Sequence, residues 1–162
     1  EPEQLVKILN RYLAAMADAV LAQEGTIDKF MGDAIMAWFN APIPQPDHTL
    51  RAVKTALLIR ESIENLYKEL PAEFHLYFGV GIHCGDAILG LIGTEKRLEY
   101  TAISDSVNTA KRIQENSAKN QILISRVAYE RVKKEVNAKP HAEMSLKGKT
   151  QPLEVYEVLG LK

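Results

Sequence analysis

Gly32 and Asp33 separate two apolar, strand-like runs, Thr26–Met31 and Ala34–Phe39. Two turn-forming residues between such runs predict an antiparallel hairpin with Asp33 exposed at its tip. What surrounds the hairpin is helical. Leu5, Ile8, Leu9, Tyr12, Leu13, Met16 and Val20 recur at three- and four-residue spacing, which predicts a helix over 3–23 ending before Gly25. After Pro42, Pro44 and Pro46, a second helix is expected from near Asp47, turning Ala52, Ala56, Ile59, Ile63, Leu66 and Leu70 inward.

The second half mixes the same two periods. Phe74, Leu76, Phe78, Val80 and Ile82 alternate with smaller or polar neighbours up to His83, the pattern of a strand, here expected to be central. Ala87–Ile92 is expected as its partner, with Gly93–Arg97 turning into Leu98–Ile103 to complete a meander. Ser104, Asp105 and Ser106 are capping types that open a third helix reaching about Lys119. A strand at Gln121–Ile124, a helix at Ser125–Lys134 and a strand at Leu153–Leu159 follow. Hairpins interleaved with helices predict an α+β fold and not a doubly wound parallel sheet.

Composition narrows the function. A chain of 162 residues suits one domain with one core. The formal charge of -1 excludes a whole-molecule field that would draw the chain onto nucleic acid or an anionic membrane, so any phosphate site must be local. Cys84 is alone, which excludes a disulfide framework and a Cys-rich zinc site and fits a cytoplasmic setting. No run approaches the roughly 20 apolar residues of a membrane span. His83 and Cys84, as strand neighbours, face opposite ways, which argues against a shared metal or nucleophile site, and His83 reads as a packed strand residue. Gly79, Gly81 and Gly85 do not have the spacing of a dinucleotide fingerprint, and no P-loop motif is present.

Three clusters carry chemistry-bearing side chains: Lys29 to Asp33, Thr101 to Arg112, and Leu146 to Thr150. Taken singly, each reads as a turn, a polar helix face or a solvated loop. Taken in order, the segments DKFMGDAIMAWFNAP (28–42), GVGIHCGDAILGLIG (79–93), EYTAISDSVNTAKRI (99–113) and SLKGKTQPLEVYEV (145–158) resemble the catalytic domain of class III nucleotidyl cyclases. The likeness spans nearly the whole chain and is strongest to the bacterial, bicarbonate-responsive branch of adenylyl cyclases.

The resemblance implies a ferredoxin-like βαββαβ sheet with helices on one face and a C-terminal αβ extension, in a single domain over residues 1–162. It implies conversion of ATP to cyclic 3′,5′-AMP and pyrophosphate. Asp33 falls on a metal-binding aspartate for Mg²⁺, two ions per site, with Mn²⁺ as a substitute. Lys29 falls on the position that reads adenine N1, where guanylyl cyclases usually carry glutamate, and Thr101 on the second base-reading position. Asn108 and Arg112 fall on the transition-state pair, and Lys147 on the lysine that meets the terminal phosphates, with Lys149 a bystander. The implied assembly is a head-to-tail homodimer, with Lys29, Asp33 and Thr101 of one copy facing Asn108, Arg112 and Lys147 of the other, and bicarbonate as a regulator. The family's opening FxDIxGFT strand, with its first metal-binding aspartate, does not precede the first helix, so the domain is expected to be N-terminally incomplete. A guanylyl cyclase and a non-catalytic cyclase-like regulatory module are the alternatives.

Overall fold

The computed structural model describes residues 1–162, which divide into two compact units, Glu1–Tyr77 and Phe78–Lys162.

In the first unit, helix α1 (Pro2–Ala22) turns Ile8, Tyr12, Met16, Ala19 and Val20 inward, as its periodicity predicts. Helix α2 (His48–Glu69) packs on it with Val53, Ala56, Ile59, Ile63 and Leu66. Its buried stripe runs through Val53, while Ala52 is only half-buried. Tyr12, fully buried, donates its hydroxyl to the Phe74 carbonyl at 2.8 Å and accepts from the Leu76 N–H at 3.2 Å, so one side chain fastens the segment that leaves α2. Strands β1 (Thr26–Met31) and β2 (Ala34–Trp38) form the expected hairpin around Gly32-Asp33, with an irregularity between Ile27 and Lys29. The proline-rich loop beyond β2 is held by the buried Gln45. It exchanges hydrogen bonds with Asn40 in both directions and donates to the Glu24 carbonyl at 2.9 Å.

The second unit is built on a four-stranded sheet in the order β3 (Val80–Ile82), β6 (Ile122–Ser125), β8 (Val155–Leu161), β7 (Val136–Pro140). β3 runs parallel to β6, and the other pairs are antiparallel. This corrects the sequence-based expectation in two ways. Residues 75–79 carry the alternating pattern but join no ladder, so the strand is three residues long and lies at an edge. Its partner is β6; β4 (Ile88–Thr94) instead pairs only with β5 (Arg97–Ile103), as a separate two-stranded ribbon. β6 is the buried strand: Ile122, Leu123, Ile124 and Ser125 are all inaccessible, the signature of a strand covered on both faces.

Helix α3 (Asp105–Glu115) begins where Ser104 accepts the Val107 N–H at 3.2 Å, a side-chain cap as expected, and ends four residues before Lys119. Helix α4 (Arg126–Val132) is capped in the same way by Ser125. β3 lies so close under α3 that a Cβ on Gly81 would sit 2.4 Å from the Gln114 nitrogen and 2.5 Å from the Ala110 carbonyl oxygen, contacts only glycine avoids. Ile113, Leu123, Met144 and Val155 form a core cluster with Leu153 packed against it.

Candidate active site

The first unit carries Lys29 and Asp33 on one hairpin. Lys29 sits in β1 opposite Met36, its ammonium 3.9 Å from the Asp28 carboxylate. The Asp28 side chain is almost wholly buried, while that of Lys29 stays 39% exposed. Asp33 is exposed at the turn that joins β1 to β2.

The second unit carries Thr101, Asn108, Arg112 and Lys147. Thr101 is buried in β5 directly opposite Gly90, which adds no side chain beside it. Asn108 and Arg112 are both exposed, one turn apart on α3. Asp105 lies three residues before Asn108, so Asp105, Asn108 and Arg112 form one stripe at i, i+3 and i+7. Thr109 and Ile113, on the neighbouring face, are buried. Lys147 occupies the corner of a tight turn in which the Lys149 N–H reaches the Leu146 carbonyl at 3.1 Å and Gly148 takes φ +80°. A positive φ at the third position is the mark of a type II turn and favours glycine there. The structure thus brings Asn108 and Arg112 onto one face and ties the Lys147 turn to the same helix, because the Lys149 ammonium meets the Asp105 carboxylate at 2.5 Å. Nothing in the spacing of the sequence signals that contact, which joins residues 44 positions apart.

His83 lies just beyond β3 and is half-buried, consistent with a packing role. Its Nδ1 is 2.8 Å from the Ser125 hydroxyl. Burial pushes its imidazole below the ordinary histidine pKa and Lys149 pushes it further, with Asp105 opposing. Cys84 is partly buried and forms no disulfide.

No group of three or more His, Cys, Asp or Glu side chains is placed to cage a metal ion. Asp33 nevertheless fits a hard divalent cation of the kind bound by one or two carboxylates and completed by phosphate oxygens and water.

The model of the adenylate and guanylate cyclase catalytic domain matches residues 1–160. The chain belongs to the class III nucleotidyl cyclase catalytic domains. Its similarity to Adenylate cyclase 1 of Rhizobium meliloti is 34% identity over 99% of this chain and 25% of that protein, so the chain spans about a quarter of that relative. The fold of the cyclase domain is similar to that of the guanylyl cyclase Cya2, with a TM-score of 0.93 and 34% identity over 100% of this chain and 83% of the other. It is likewise similar to the adenylyl cyclase CyaB from P. aeruginosa, with a TM-score of 0.90 and 31% identity over 98% of this chain and 84% of the other. These neighbours include both base specificities. The mixed α+β class expected of the chain is thereby shown.

Proposed function

We propose that the protein is an adenylyl cyclase and that residues 1–162 belong to one catalytic domain that cyclises ATP at a site shared by two copies. The observation that carries the reading is the exposed stripe of Asn108 and Arg112 on α3, with the Lys147 turn fastened to that helix's first turn. A triphosphate needs several cationic and amide donors converging along its length, and this arrangement supplies them on a chain with no overall positive field.

Arg112 stabilises charge that grows on the α-phosphate as the ribose 3′-oxygen attacks phosphorus and the bond to the β-phosphate breaks, releasing pyrophosphate. Asn108 orients the ribose, and Lys147 takes the terminal phosphates. Lys29 donates to adenine N1, and the Thr101 hydroxyl, able to donate and accept, meets the amino group less rigidly than a carboxylate would. Asp33 would hold Mg²⁺, or Mn²⁺ in its place. Such a cation, when bound, neutralises phosphate charge and favours the leaving pyrophosphate.

Pairing of copies is supported by the β4–β5 ribbon, where Ile88 is 75% and Leu91 67% exposed and Leu98, Tyr100 and Ile103 are also open to solvent. By the register, Leu91, Tyr100 and Leu98 share one face of the ribbon and Ile88 and Ile103 the other, so each face exposes apolar side chains of the kind that mark a contact surface. The pairing is head to tail, the first three site residues coming from one copy and the last three from the other.

The purified full-length protein, given Mg²⁺ or Mn²⁺ with ATP or GTP, should form cyclic AMP in preference to cyclic GMP. Faster cyclisation of GTP would make it a guanylyl cyclase, the reading that the similarity to Cya2 favours. Silence with both nucleotides would leave a non-catalytic module.

A further inference from the structure

We propose that Lys149 is a positioning residue: its ion pair with Asp105 clamps the tip of the 145–152 loop to the first turn of α3 and sets Lys147 beside the Asn108–Arg112 stripe. The inference rests on the cyclase reading of that stripe and adds to it a residue that sequence reasoning treats as a bystander.

Three observations converge on the clamp. The base of the loop is fixed, since Met144 and Leu153 exchange backbone hydrogen bonds of 2.9 and 2.7 Å and Met144 shares a core cluster with Ile113 of α3. The tip is fixed separately by Lys149 on Asp105. Between them lies a turn whose geometry transmits the anchoring: Lys147 is its second residue and Lys149 its fourth, closed by the Lys149-to-Leu146 hydrogen bond. Holding the fourth residue of such a turn fixes the corner two positions earlier. Without the ion pair the tip would swing about its base, and small misplacements of a charged group near a reacting phosphate are costly.

The pair also acts through charge. Asp105 lies in the first turn of α3, where the helix dipole favours a carboxylate, but it is also three residues from Asn108 on the stripe assigned to a polyanion. Lys149 offsets that negative charge. Because both side chains are substantially exposed, the ion pair contributes little to global stability, and removing it should leave the protein folded.

Lys149 could instead bind phosphate directly, and a double-mutant cycle separates the two roles. In the clamp, Lys149→Met and Asp105→Asn each speed amide hydrogen exchange in residues 145–151 of the nucleotide-free full-length protein. Each raises the KM for the nucleotide by about tenfold with a smaller change in kcat, and the double variant is no worse than either single. If Lys149 were only a phosphate ligand, Asp105→Asn would leave KM unchanged or lower it, and that result would overturn the clamp. Unchanged exchange in both single variants would overturn it as well. A wild-type protein that forms no cyclic product would remove the cyclase reading, and the exchange measurement would still decide the clamp by itself.

Discussion

Arg112 and Asn108 look alike in the sequence, two polar residues on a helix, yet the roles proposed for them differ, since only Arg112 brings charge to the α-phosphate. A group that acts on charge appearing only in the transition state affects turnover more than binding. Arg112→Ala should therefore lower kcat about 100- to 1,000-fold while KM shifts only a few-fold. Steady-state kinetics with ATP checks this, and a change confined to KM would reassign Arg112 to ground-state binding. His83 gives the pH prediction. Its folded pKa is depressed by burial and by Lys149, with Asp105 opposing and the Ser125 hydroxyl as its hydrogen-bond partner. An unfolded chain protonates this imidazole near 6.5, so the stability it supplies is present above that value and is lost as pH falls toward the lower folded value. Urea midpoints at about pH 7.5 and 5.5 should show a smaller acid loss for His83→Gln than for the wild type. At this scale the sequence discloses residue types and local spacing. It does not disclose a long-range partner, which is why Lys29 and Asp33 are legible as a pair on one hairpin while Lys149 and Asp105 are not.

Elements were legible where one period dominates. α1, the β1–β2 hairpin and the capped start of α3 follow from local pattern and turn chemistry alone. The strand expected over Phe74–His83 contracts to β3 because alternation reports an extended backbone with two faces, not the presence of neighbours to complete a ladder. The central place belongs to β6, whose Ile122-Leu123-Ile124 run has no polar face, itself the sign of burial on both sides. β7 carries little sequence signal because Val136–Pro140 combines an Asn, a Lys and a terminal Pro, a composition suited to an edge strand. Gly81 links these elements, since its missing side chain is what lets β3 approach the α3 backbone. Gly81→Ala should cost about 1–3 kcal/mol through overpacking, read from the urea midpoint. No loss would mean that α3 can move away from the sheet.

For the molecule as a whole, family membership was the most legible property, since four ordered segments constrain one another far more than any five-residue motif does. Base preference was the least legible: it turns on a few contacts at Lys29 and Thr101, and the similar structures include cyclases of both kinds. Because the proposed site draws on two copies, an Asp33→Ala chain mixed with an Arg112→Ala chain should regain roughly a quarter of wild-type activity, the share expected from random pairing with one intact site in each mixed dimer. A mixture as inactive as either parent would mean that each site is built within one copy. The β4–β5 ribbon also sets where the chain is vulnerable. A lone two-stranded ribbon is marginal in water, and the bend at Glu95-Lys96 is fully open. A trypsin-like protease would therefore reach the Lys96–Arg97 bond before the covered strands, parting Thr101 from the opposing strand while sparing the α3 residues, and a bound second copy would shield the ribbon beside that bond.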